Sequence, residues 1–424
     1  MPNLLIISQA VPPVGGSHST RITHLINELS AKGWEINVLT TQIFPGTPFI
    51  DWNLQEKIPS GVKFIRSFPG PLHSFAYRRP KTNKTPSRTR QSKVKSILIP
   101  DTYIEWLPGA LIDCLLLNKG RTRPDIIMSS AVPYTAHLIG LVLSSIWGIP
   151  WVADYGDPWV YDPGHPRQGI RLLVERYLES KVVKKCSAIV VTTETTKQLY
   201  IDKYSVEQSK IRVIPMGFDP KDFAKVERDN IKEITGSYPV RFVYIGRLEP
   251  ESRDVNIFFQ ALKKLKDSGE LKNTCFEFIG GFQASLQEKV FELGLQEVVK
   301  FCSWIEHSKC MQYLTSADYL LLFGNNNSIQ VPGKIFNYVG SETPIIYLAN
   351  TSNRDTDPCV DILEQSGVKY WYVENSQVAI ENLLTKVQNI RTVNKTRTSL
   401  NYNFTWAKRG EELSQLLFTL QERS

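Results

Sequence analysis

The sequence predicts an α/β protein built from two doubly wound, parallel-sheet (Rossmann-like) domains facing a cleft. Three observations predict it. Leu4, Leu5, Ile6, Ile7 and Ser8 form an apolar run, followed by a loop over 12–17 and then Ile22, Leu25, Ile26 and Leu29 at helical spacing, closed by Gly33. The run from Val240 to Gly246 opens the same series again, with Phe258, Ala261, Leu262 and Leu265 on the next helix and Gly269 at its end. After each beginning, short apolar runs alternate with helical patterns, which selects a parallel sheet with crossover helices.

Taken in order, residues 4–8, 36–40, 62–65, 124–130, 150–154 and 188–192 read as strands of the first domain. The stretch 211–220 ends in turn residues, which places the boundary at 214/215. Residues 240–246, 276–281, 299–301, 319–323 and 344–347 read as strands of the second domain, 215–403. The segment 404–424 has a helical period from Trp406 and reads as a helix returning to the first domain. Loops with Gly, Ser or basic residues follow several strands, where open α/β sheets bind ligands.

The 424 residues are 42% hydrophobic and 22% charged, which excludes disorder of the whole chain. Six scattered cysteines form no Cys-x-x-Cys pair and read as reduced thiols. No charged region precedes Leu4, so this run reads as a strand and the protein as cytoplasmic. The longest apolar stretch, 138–153, is interrupted by Ser144, Ser145, Gly148 and Pro150 and is too short to cross a bilayer. The net charge of +8 is concentrated: Arg78, Arg79, Lys81, Lys84, Arg88, Arg90, Lys93 and Lys95 share a loop over 78–96 without one acid. This loop is a solvated insertion or is drawn to anionic lipid or phosphate, giving a peripheral position at a membrane's inner face. Nucleic acid is not expected as a partner, because no aromatics are interleaved with the charge.

Several motifs in the same order make the chain resemble the GT-B glycosyltransferases of the family-4-like, retaining type. Pro13-Val14-Gly15-Gly16 with Ser17, His18 and Arg21 resembles the N-terminal glycine loop. Pro100-Asp101 with Trp106, and Asp154-Tyr155-Gly156-Asp157-Pro158-Trp159, resemble a subgroup that reads Asp-x-Arg-Asp-Pro-Trp, with Gly156 in the arginine's place. Pro215-Met216-Gly217-Phe218-Asp219 resembles the interdomain turn, with Met216 for the usual asparagine. Pro332-Gly333-Lys334-Ile335-Phe336-Asn337-Tyr338 resembles the donor-site element. The resemblance spans almost the whole chain. It implies transfer of a sugar from a nucleotide diphosphate sugar to a sugar, lipid-linked or small-molecule acceptor, in polysaccharide or glycolipid assembly. It implies neither a cofactor nor a metal ion, and no His/Asp/Cys cluster has metal spacing.

A departing nucleotide diphosphate gains negative charge, so its site needs fixed cations and backbone N–H groups. Arg247 and Arg253, after the strand ending in Gly246, and Lys334 are the candidates. Gly281, Trp304, Ile305 and the nearby His307 join them as a nucleotide-side set, and Gly15 and Gly16 let a backbone approach phosphate or sugar. Asp154 and Asp157, just past a strand end, are the candidate catalytic acids or acceptor binders, with Glu194 a lesser one. Where the family carries two glutamates eight positions apart, this chain has Ile329 and Asn337. That substitution opens two alternatives: a GT-B scaffold that binds nucleotide sugar or a partner without turnover, and a UDP-sugar 2-epimerase, which shares the fold.

Overall fold

A computed structural model describes residues 1–78, 98–117, 123–224, 240–248, 255–271, 273–327, 329–350, 353–388 and 402–423. Most of the basic segment 78–96, and Arg253, lie outside them. The chain divides into one unit of Met1–Met216 with Trp406–Ser424, and another of Gly217–Thr405. The divisions fall two residues beyond the boundaries read from the sequence.

The first unit runs β1 (Asn3–Ile7), α1 (Ser17–Ala31), β2 (Glu35–Thr41), α2 (Trp52–Glu56), β3 (Lys63–Ser67), α3 (Pro71–Tyr77), α4 (Trp106–Leu117), β4 (Ile126–Ala131), α5 (Thr135–Trp147), β5 (Trp151–Tyr155), α6 (Gly169–Lys185), β6 (Ala188–Val191), α7 (Glu194–Tyr204) and β7 (Ile211–Val213). Its seven strands lie in the order β3-β2-β1-β4-β5-β6-β7, every pair parallel. β1, β4 and β5 are buried along their whole length, which a parallel sheet with helices on both faces requires. Leu4 and Ile6 pack with Ile22, Leu25 and Ile26 of α1. Leu5 and Ile7, one residue out of step, face the opposite core of Ile139, Leu143, Trp151 and Val182.

The second unit runs α8 (Pro220–Ala224), β8 (Val240–Ile245), α9 (Asn256–Asp267), β9 (Thr274–Ile279), α10 (Ala284–Glu292), β10 (Val299–Cys302), α11 (His307–Ser316), β11 (Tyr319–Phe323), α12 (Lys334–Ser341), β12 (Ile345–Ala349), α13 (Pro358–Ser366), β13 (Tyr370–Glu374) and α14 (Gln377–Val387). Its sheet, β10-β9-β8-β11-β12-β13, is also parallel. Counted within its own unit, this is the order 3-2-1-4-5-6, repeated from the first six strands of the other sheet. β13 is an element that the sequence pattern did not indicate: only Val373 of its five residues is buried.

The last helix, α15 (Trp406–Glu422), belongs to the first unit. Leu413 and Leu417 join the core under α1, Trp406 stacks on His24 at 4.9 Å, and Trp34 Nε1 donates to Ser414 Oγ at 3.0 Å. No described helix is long and apolar enough to cross a membrane.

Candidate functional site

In a sheet of order 3-2-1-4-5-6 the chain leaves strands 1 and 4 in opposite directions, opening a crevice between their carboxyl ends. Each unit has such a point, and each gathers polar residues there.

In the first unit the loop after β1 passes Gly15 and Gly16 into α1, whose first turn carries Ser17 and His18. His18 Nε2 lies 3.0 Å from Ser130 Oγ at the end of β4, and Ser130 Oγ donates to Asp154 Oδ2 at 2.6 Å. The other oxygen, Oδ1, accepts from Arg21 Nη2 at 2.9 Å, while Arg21 Nη1 donates to the Pro215 carbonyl at 2.9 Å. Because the Ser130 hydroxyl proton points to Asp154, this geometry assigns the His18 proton to Nε2 and leaves Nδ1 with its lone pair. Burial outweighs the attraction of Asp154 and holds His18 down at about 4. Although burial alone would raise its pKa, Arg21 and Ser130 leave the Asp154 carboxyl below its ordinary value.

Asp154 is thus inaccessible, with both oxygens occupied inside the protein. The expectation that it meets substrate directly gives way to a positioning role: it orders Arg21, Ser130 and, through Ser130, His18. Asp157 is itself exposed, in the loop beyond β5. Gly156 explains how His18 fits, because a Cβ there would come within 3.1 Å of His18 Nδ1. A layer deeper, Trp151 Nε1 donates to Ser129 Oγ at 2.7 Å, and Ser129 Oγ lies 2.8 Å from His137 Nδ1.

Other residues carrying the resemblance are architectural here. Asp101 accepts from the Thr135 backbone and hydroxyl at 3.0 and 2.8 Å, fixing the start of α5. Trp159 is buried, stacks on Tyr134 at 4.9 Å and donates to Glu175 at 2.8 Å. Glu194 sits in the first turn of α7, 3.3 Å from Lys197.

In the second unit β8 and β11 flank the corresponding point. Lys334 opens α12 with its ammonium 3.7 Å from the centre of the Tyr244 ring, where it also donates to the Tyr244 hydroxyl. Tyr244 in turn donates to the Arg247 carbonyl at 2.8 Å, and the Ile245 N–H donates to the Tyr338 hydroxyl at 2.9 Å. Gly246, with φ +116°, lies under the lysine: a Cβ there would stand 2.9 Å from Lys334 Nζ. Gly280, φ +136°, abuts it so closely that a Cβ would come within 2.6 Å of the Gly246 carbonyl. Only glycines let these two strand ends meet.

Asn337 lies one helical turn beyond Lys334 on the same side of α12, half-buried. Arg247 is exposed; Gly281, also exposed, accepts from the Leu248 N–H at 3.3 Å. Trp304 and Ile305 follow β10, two strands from β8, and Trp304 is 76% exposed. His307 Nε2 lies 2.8 Å from Asp222 of α8.

Sequence reasoning missed Ser130, Tyr244 and Tyr338, and it missed a set of amides beyond β11, β12 and β13. Asn350 Nδ2 donates to the Gly324 carbonyl at 2.8 Å, Asn375 Nδ2 to Asn350 Oδ1 at 2.6 Å, and Asn325 Nδ2 to the Gln330 carbonyl at 2.9 Å. Asn327 Oδ1 accepts from the N–H groups of Ile329 and Gln330 at 3.1 and 3.0 Å. A run of three asparagines after a strand, 325–327, was the available signal.

Residues 16–217 match a family model described as "Glycosyl transferase 4-like domain". The O-antigen chain mannosyltransferase RfbU of Salmonella typhimurium (strain LT2) is 25% identical over 184 residues, 43% of this chain and 48% of RfbU. The chain therefore matches about half the length of that curated relative. Among solved structures, sucrose-phosphate synthase from Thermosynechococcus elongatus has a TM-score of 0.63 at 14% identity over 100% of both chains. Anabaena HepE in complex with UDP and glucose has a TM-score of 0.60 at 11% identity over 99% of this chain and 100% of its own. Two like-ordered sheets, a likeness of fold over the full length and a domain match over nearly all of the first unit before α15 make the chain similar in fold to these solved structures, with residues 16–217 similar to glycosyltransferase 4-like domains.

Proposed function

We propose that the protein is a glycosyltransferase that takes a sugar from a nucleotide diphosphate sugar, with retention, and gives it to a sugar or lipid-linked acceptor. The observation that carries this reading is the Gly246–Lys334–Tyr244 arrangement. It puts an ammonium above a side-chain-free backbone at the switch point of the second sheet. A diphosphate needs such a pairing of cation and accessible backbone. HepE, similar in fold, binds UDP and glucose, and RfbU, similar over part of its length, is an O-antigen mannosyltransferase.

In this reading the C1–O bond to the diphosphate breaks and its electron pair leaves on the phosphate oxygen, whose charge Lys334 stabilises. The acceptor hydroxyl forms the new bond to C1 from the same face, and its proton passes to that phosphate oxygen. In the first unit, taken by itself, His18 is held neutral and offers Nδ1 as a hydrogen-bond acceptor to a hydroxyl, while Asp154 keeps the histidine's proton on Nε2 through Ser130. A cationic, peripheral position at an anionic membrane accords with a lipid-linked acceptor.

Isothermal titration with UDP-, GDP-, ADP- and dTDP-sugars tests the donor site. One of these should bind the wild type, and Lys334→Ala should weaken it by about 1.5–3 kcal/mol, the range for a hydrogen bond to a charged group. Unchanged affinity in the folded variant would move the diphosphate elsewhere.

A non-catalytic scaffold is the second reading, favoured by neutral Asn337 where the family has an acid. Nucleotide release without acceptor separates the two: a transferase should leak nucleotide diphosphate slowly, and Asn337→Glu should keep or raise that rate. If both forms bind donor and release nothing, the scaffold reading stands.

A further inference from the structure

The helix α6 is apolar on the wrong side. Its inner face is already satisfied: Val182 and Val183 are buried and Leu172 and Leu178 pack against the core. Yet Ile170, Leu173, Val174 and Tyr177, spaced i, i+3, i+4 and i+7, are 79, 63, 38 and 61% exposed. One side of a surface helix facing solvent is ordinarily polar, and a helix with apolar residues all round has a second apolar neighbour.

The charges on α6 identify that neighbour. Its two acids, Glu175 and Glu179, are fully buried and turned inward. Glu175 pairs with Arg171 and, at 3.1 Å, with Arg167, while Glu179 accepts from Tyr200 at 2.6 Å. What remains outside is cationic: Arg176, Lys181, Lys184 and Lys185 are exposed, and Lys181 Nζ lies 5.2 Å from the centre of the Tyr177 ring. The outward surface therefore presents three aliphatic side chains and a tyrosine flanked by four cations, with no exposed acid. An acidic protein partner would be met by charge but not by so apolar a stripe, and a second copy would bring like charges together. A bilayer with anionic lipid satisfies both: the stripe enters the acyl boundary, Tyr177 sits at headgroup depth, and the lysines reach the phosphates. At the amino-terminal end of α6, Arg171 Nη2 donates to the Pro100 carbonyl at 2.6 Å and so is held away from the outward face.

We infer that the outward face of α6, with Ile170, Leu173, Val174 and Tyr177 as the inserted residues, is the surface by which this protein docks on anionic membranes. This names the membrane-contact surface for the peripheral position proposed above, and it requires no sugar transfer. Flotation of the full chain with phosphatidylcholine vesicles, with and without phosphatidylglycerol, tests it. Wild type should float with the anionic vesicles only. Leu173→Ser/Val174→Ser changes two exposed residues, so the fold should persist by circular dichroism while partitioning falls about tenfold or more even at low salt. Lys181→Gln/Lys184→Gln/Lys185→Gln should lower binding and flatten its salt dependence.

Flotation of the double serine variant at the wild-type level would overturn the inference, as would binding lost entirely on neutralising the eight cations of 78–95 with α6 intact. A concentration-dependent dimer in light scattering, abolished by the same double variant, would instead make the face a self-interface. Donor titration of the serine variant keeps the two readings apart: intact nucleotide binding without flotation supports the surface whatever the acceptor is.

Discussion

A single buried ion pair organises the residue scale of the first unit. Arg21 and Asp154 are 1% and 0% exposed and 2.9 Å apart, far from the surface pairs that contribute little. Removing one partner leaves the other charged in a dry interior, so Asp154→Ala should destabilise by about 3–5 kcal/mol, against a smaller loss for an Arg21→Met/Asp154→Leu double variant. Chemical denaturation of both variants against wild type measures this, and a double variant that loses as much as Asp154→Ala would show that a stranded buried charge is not what the single substitution costs. Lys334 is the counterpart in the second unit, and its motif made it legible in sequence. The pairing with Tyr244 was not, because Tyr244 sits 90 positions away and a tyrosine inside a strand reads as core. Asp154 was singled out by its place at the carboxyl end of a strand, which said "near the crevice", whereas only the positions of Arg21 and Ser130 decide whether its oxygens are available.

At the scale of elements, strands with unbroken apolar runs were visible because burial on both faces demands such runs, as in β1, β5 and β11. β13 escaped because an edge strand is buried on little of its surface, and Tyr370-Trp371-Tyr372 does not alternate. The closing helix α15 was legible from the spacing of Trp406, Leu413 and Leu417, all now buried. What it does energetically is complete the core below α1: Leu417 is fully buried there among Ile22, Ile26 and Leu29. Leu417→Ala should therefore cost about 2–5 kcal/mol, the range for a large aliphatic truncated in a core. A shift in the denaturation midpoint measures it, and a loss below about 0.5 kcal/mol would place α15 loosely on the surface.

The whole molecule carries a formal charge of +8 at pH 7 with its histidines neutral, and the response to acid follows from which histidines resist charging. His18 and His73 are held down at about 4 and His137 at about 3, in each case first by desolvation. Their folded values lie below the unfolded value of 6.5, so the folded state binds fewer protons. Stability is full above about 6.5 and is lost as pH falls toward 4 and 3, with a slope approaching about 1.4 kcal/mol per pH unit for each histidine. Asp101 and Glu179, whose carboxyls burial raises, act in the opposite sense, from their ordinary carboxylate range upward. A comparison of variants removes their contribution. His73, among the rings of Tyr77 and Tyr103 at 4.6 and 4.7 Å, tolerates the shape of phenylalanine. His73→Phe should therefore unfold with a shallower loss of stability between pH 6.5 and 4 while matching wild type more closely at pH 7.5. Parallel curves across that window would mean that His73 is protonated in the folded protein, and its burial beside the tyrosines would then contribute nothing to the acid response.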